Sequence, residues 1–215
     1  MRMRAAAEER EVRTAVLYHR DSLRAGELEA AFRGLSRLGR FGVICETLDV
    51  ASQGGLGAVK RGIVIKDAIY SQEAFLHPFD LLHPGAWEGF SGFFRERRII
   101  PLGVIPGRLF ESGEGAPQKR LGLSAYGRAG AISLSRIRLM KEKGLALRAI
   151  ELAAAHETGH ILGRQDHCGR DCLMSENSDF DDFISRHVRG GLDFCRECLR
   201  KIEAGVERLR ERPFL

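Results

Sequence analysis

The sequence predicts an α/β protein of the mixed α+β kind, and three observations carry that expectation. Short β-prone runs alternate with segments whose apolar residues recur at helical spacing. One segment, residues 145–162, is a strong helix that stops at Gly163. Beyond it the chain turns polar and carries four of its five cysteines. At 215 residues the chain suits one domain with room for two lobes, since domains average about 150 residues. Hydrophobic residues are 44% and charged residues 29%, which excludes a disordered chain, a collagen and a small disulfide-knotted scaffold. The net charge of +5 permits an acidic partner without demanding one.

Residues 1–12 read as a charged tail with no apolar core, so no secretory signal is expected and the cytoplasm is the default compartment. No apolar run approaches the ~18 residues of a membrane span. Residues 14–18 predict a strand. A helix follows, with Ser22 as its cap and Leu28, Ala31, Phe32, Leu35 and Leu38 as its apolar face. Residues 41–50 return to strand, with Cys45 as a small buried hydrophobe. Residues 61–67 suit an interior strand built on Ile63, Val64 and Ile65. Residues 75–98 are irregular and helix-containing, with Trp87 in the core and His77 and His83 in surface loops before prolines. Residues 99–105 are a strand, 107–118 a loop, and 121–126 and 131–137 two short strands around Gly127 and Gly130. A last helix spans about 193–212. Its Arg196, Arg200, Lys201, Arg208, Arg210 and Arg212 are diluted by Glu197, Glu203, Glu207 and Glu211, which argues for a solvated face over a nucleic-acid surface.

The chemistry gathers at the end of the strong helix, in His156-Glu157-Thr158-Gly159-His160. Two histidines four residues apart project from one helical face and can grip one zinc ion. Glu157 points about 100° away from His156, too far round to ligate beside both histidines, and well placed to act on a water at the open side. Gly163, three residues after His160, lets the chain turn so that a third donor can reach back. Either Asp166 or His167 can supply that donor. A three-histidine shell leaves zinc its full charge, whereas an aspartate reduces it.

Cys168, Cys172, Cys195 and Cys198 form two pairs separated by a loop of about twenty residues, the spacing of a four-thiolate structural zinc site. In a reducing compartment such clustered cysteines point to metal before disulfides. The stretch between the pairs is poor in large apolar residues, so metal can replace missing core. Arg164, Arg170, Arg196 and Lys201 are candidates to offset the negative charge.

Together these motifs resemble the archaemetzincins, a branch of the metzincin zinc metallopeptidases. The resemblance rests on His156-Glu157-x-x-His160-x-x-Gly163, then His167-Cys168, Cys172-x-Met174 and Cys195-x-x-Cys198. The segment 131–137 resembles the family's strand before the active-site helix. Two departures stand out. Asp166 is one residue extra between Gly163 and the His-Cys pair, and one residue fewer separates Cys168 from Cys172. Keeping the His-Cys pair intact favours His167 over Asp166 as third ligand. The resemblance implies a twisted mixed sheet with helices in an upper lobe, residues 13–163. It further implies a small zinc-stapled lower lobe, residues 164–215, holding the third ligand, a methionine turn at Met174 and the last helix.

The expected function is a zinc-dependent metallopeptidase with two zinc ions per chain, one catalytic and one structural. Zinc on His156, His160 and His167 polarises water and the scissile carbonyl, and Glu157 is the general base. Cys168, Cys172, Cys195 and Cys198 hold the structural ion. The partner is a peptide, paired with an upper-lobe edge strand at 121–125 or 131–135; no membrane or nucleic acid is called for. The competing readings are a non-catalytic zinc-stabilised binding protein and a zinc hydrolase acting on a non-peptide substrate.

Overall fold

A computed structural model describes residues 11–18, 23–49, 99–107, 109–111, 118–127, 129–163 and 166–211. The expectations for most of the tail, for Ser22, for residues 61–67 and 75–98 and for Arg164 lie outside the described residues. Strand β1 (Val12–Tyr18) leads to helix α1 (Glu27–Ser36) and strand β2 (Val43–Asp49). Then come β3 (Ile99–Ile105), the short β4 (Leu109–Glu111) and β5 (Gln118–Arg120), and β6 (Gly122–Ala125) and β7 (Ala129–Ser133). Helix α2 (Lys143–Leu162), a short α3 (Phe180–Phe183) and α4 (Arg196–Glu211) complete the chain.

The main sheet has the order β2-β1-β3-β7-β6. Its first four strands pair in parallel, while β6 joins β7 antiparallel as the edge strand. Every residue of β3 is buried, as expected of a parallel strand covered on both faces. Helix α2 packs against α1 and against β3, β6 and β7. From Ala149 onward nearly all of α2 is buried, which its run of small alanines permits. Glu151 of α2 ties the helices together, accepting from Arg37 Nε at 3.0 Å and Arg148 Nη1 at 2.6 Å.

Four expectations need correction, the first being 131–135 as a sheet edge: β7 lies between β3 and β6 and is paired on both sides. The loop predicted at 107–118 holds β4 and the first residue of β5, and the two strands pair antiparallel as a separate ribbon. Their Gly- and Glu-rich surroundings hid two strands of only three residues each. The first helix begins at Glu27, after Gly26 in the left-handed region at φ 87°. The Glu27 carboxylate accepts from the Arg24 backbone N–H at 2.7 Å and from Arg138, and so fixes that start. The stretch after Gly163 is not wholly irregular: α3 continues into a π-helical turn, Ile184–Arg189, packed on α2. A cap fixes its start: Asp179 Oδ1 accepts from Asp182 N at 2.9 Å and Asp182 Oδ2 from Ser178 N at 3.1 Å.

Helix α4 buries Cys198, Ile202, Gly205, Val206 and Leu209 and leaves Lys201, Glu203 and Arg208 exposed. At its crossing with α2 a Cβ on Gly163 would lie 2.7 Å from the Lys201 carbonyl oxygen and 2.8 Å from the Gly205 Cα. The glycine that ends α2 therefore serves close packing against α4. Its φ of 160° is extended backbone and needs no glycine for itself.

Candidate metal centre and catalytic site

Helical spacing brings His156 and His160 together on α2, with their Nε2 atoms 3.0 Å apart. The loop after Gly163 returns His167 to the same place, its ring 5.5 Å from that of His156 and 5.0 Å from that of His160. One nitrogen from each lies within 4.8 Å of the other two. Nitrogens about 2.0–2.1 Å from a common centre sit roughly 3.3 Å apart, so the three imidazoles fit one zinc ion. Asp166 lies instead with its Oδ2 3.8 Å from Lys201 Nζ.

The His156 ring is oriented from behind. Its Nδ1 stands 2.7 Å from the Leu173 carbonyl oxygen, which only accepts, so Nδ1 carries the proton and Nε2 keeps its lone pair. Burial lowers the His156 pKa and outweighs the opposing effect of that hydrogen bond, which holds the ring in the neutral form a metal requires. Met174, fully buried, packs beneath: a Cβ on Gly159 would meet its Sδ at 2.6 Å. The loop that carries Met174 is closed by Cys168 N–H donating to the Met174 carbonyl at 2.7 Å and Leu173 N–H donating to the Asp193 carbonyl at 3.0 Å.

Glu157 is 8% exposed and turns towards β6. Its Oε2 accepts from the Ser124 hydroxyl at 2.6 Å. Burial pushes its pKa up to about 7, against the lowering effects of the Ser124 hydrogen bond and the charge of His167. A carboxylate with that pKa can take and give up a proton near neutrality.

The four cysteines form a second cluster. Sγ of Cys168 is 3.8 Å from that of Cys195, and Sγ of Cys172 is 3.5 Å from that of Cys198. Sulfurs about 2.3 Å from one zinc ion sit roughly 3.8 Å apart, whereas a disulfide needs about 2.05 Å, so the set fits a tetrahedral metal. All four thiols are free. Cys195 directly precedes α4. Burial raises its pKa, but the Cys198 backbone N–H and the neighbouring thiols overcome this and bring it down to about 7. Of the expected cationic offsets, Arg170 pairs with Glu197 at 3.5 Å, and Lys201 with Glu197 and Asp166.

Sequence reasoning missed Ser124, Gly122 and the Leu173 carbonyl. The first two matter through strand β6, whose neighbours no local spacing reveals. The third is a backbone group that any residue type would present.

Three imidazole nitrogens would leave a divalent ion its full charge and an open coordination position, and a buried carboxylate stands beside them. That is the equipment of a zinc hydrolase. Residues 116–204, which hold every candidate metal ligand, match Peptidase family M54. The fold is that of the crystal structure of archaemetzincin from Methanopyrus kandleri, with a TM-score of 0.62 at 18% identity over 93% of this chain and 97% of that one. It is also that of a zinc-dependent peptidase from Methanocorpusculum labreanum, with a TM-score of 0.57 at 17% identity over 88% of this chain and 99% of that one. No curated protein sequence matches the chain. The segment that carries the candidate ligands is thus similar to a peptidase family, and the fold is the one seen in archaemetzincin.

Proposed function

We propose that the protein hydrolyses peptide bonds at a zinc ion held by His156, His160 and His167, with Glu157 as general base. The observation that carries this reading is the convergence of three imidazoles beside one buried carboxylate. Zinc bound there supplies a Lewis acid that polarises the scissile carbonyl and acidifies water. Glu157 takes the proton of the attacking water on its carboxylate and returns it to the leaving amine. Among the described residues no strand pairs with the outer edge of β6, whose backbone groups can then pair with an extended peptide. Met174 supports the histidines by packing, without ligation.

In the same reading Cys168, Cys172, Cys195 and Cys198 hold a second, structural zinc ion, giving two per chain. Residues 13–163 then form the upper lobe and 164–215 the lower lobe, with residues 1–12 as a tail and the peptide between the lobes. The four free thiols suit a reducing, cytoplasmic setting. The test is turnover of a mixed peptide library by wild type and Glu157→Gln, with zinc measured on both. Loss of about 10²–10⁴-fold in kcat with zinc retained is expected. Undiminished turnover by Glu157→Gln would refute the assignment.

A further inference from the structure

The edge strand beside the histidine helix does more than present a backbone edge. Gly122 and Ser124 are two residues apart on β6, so they share one face of it. Both meet Glu157. A Cβ on Gly122 would lie 2.3 Å from Glu157 Oε1 and 2.6 Å from its Cδ and Cγ. No side chain can stand at 122 while Glu157 keeps its position. Ser124 donates to Oε2 at 2.6 Å, a short bond to an ionisable acceptor. One residue thus gives the carboxylate room and the next on that face holds one of its oxygens.

We propose that Gly122 and Ser124 form a cradle on the edge strand that positions Glu157, and that Ser124 is a positioning residue for the proton transfer. The inference rests on the reading of Glu157 as general base. A carboxylate can rotate about its terminal torsions, and burial alone does not fix which oxygen faces the substrate. With Oε2 engaged by Ser124, Oε1 is left as the oxygen for the attacking water. Because β6 is also the strand on which a peptide can pair, base and substrate are referred to one rigid element.

The decisive experiment is a double-mutant cycle of Ser124→Ala with Glu157→Gln on the zinc-loaded protein, reading kcat and KM separately. In the wild-type background Ser124→Ala is expected to lower kcat about 10–100-fold, the usual cost of losing a hydrogen bond to a charged group, with KM and zinc content unchanged. In the Glu157→Gln background it is expected to cost less than about twofold, since its target is already disabled. Equal losses in both backgrounds, or full kcat in Ser124→Ala, would overturn the proposal. If Glu157→Gln itself keeps full activity, the general-base reading has failed instead. An independent readout is the crystal structure of Gly122→Ala, with and without zinc: the Glu157 carboxylate is expected in a new rotamer, and an unmoved carboxylate would overturn the cradle.

Discussion

At the scale of single residues, the adjacency of His167 and Cys168 sets the tightest constraint. Successive Cα atoms are about 3.8 Å apart, yet one side chain joins the imidazole cluster and the next the thiol cluster. An extended segment turns consecutive side chains to opposite sides, which suits that division. Asp166, on the other side of His167, faces Lys201. His167→Ala is therefore expected to lose the catalytic zinc outright, while Asp166→Ala weakens it by at most about 10–100-fold, as for a residue acting on a ligand from outside. Zinc affinity titrations of the two variants check this, and the reverse ranking would make Asp166 the ligand. The histidine pair, Glu157 and the cysteines were legible because helical and Cys-x-x-Cys spacings are local. Ser124 and the Leu173 carbonyl were not, because strand-to-helix and loop-to-helix contacts over long sequence separations leave no spacing to read.

At the scale of elements, the segment between Cys168 and Cys198 lies between two supports. On one side the π-helical turn that follows α3 packs on α2, and Phe183, Ile184 and Val188 are buried in the core. On the other, the thiol cluster joins the loop to the start of α4. Cys195→Ser is expected to loosen the loop and the start of α4, because metal binding there is folding free energy. A fall in Tm with exposure of amides 168–198 to hydrogen exchange checks this, and an unchanged Tm would count against it. The same π-helical turn carries His187, fully buried, with Nε2 2.7 Å from Asn177 Oδ1. Burial foremost, with the nearby charge of Arg186, pushes its pKa from 6.5 down to about 4. The unfolded chain therefore takes up a proton between about 6.5 and 4 while the folded one does not. The stabilisation is complete above pH 6.5 and is lost as pH falls towards 4. Between pH 7 and 5 the wild type is expected to lose more Tm than His187→Gln, and parallel losses would deny the effect. The sequence showed α2 and β3 to within two residues because each has a long apolar run. It hid β4, β5 and the π-helical turn, whose burial comes from pairing or packing with distant residues.

At the scale of the whole molecule, the two donor clusters are parts of one construction. The carbonyl that orients His156 belongs to Leu173, between Cys172 of the thiol set and the buried Met174. Met174 N–H in turn donates to Cys172 Sγ at 3.3 Å. Gly163 and Gly205 bring α4 against the end of the histidine helix, so the thiols at the start of α4 and the imidazoles on α2 share a rigid frame. Sequence reading reached this architecture through a specific motif resemblance, since periodicity alone orders no strands in a sheet. The proposed pair of zinc sites on this frame is unlike in kind, one open and catalytic and one closed. It is tested most directly by anomalous diffraction at the zinc edge from crystals grown with zinc. The expected map has two peaks per chain, one about 2.0–2.1 Å from nitrogens of His156, His160 and His167 and one about 2.3 Å from the four cysteine sulfurs. A single peak, or a carboxylate oxygen of Asp166 in place of the His167 nitrogen, would contradict it.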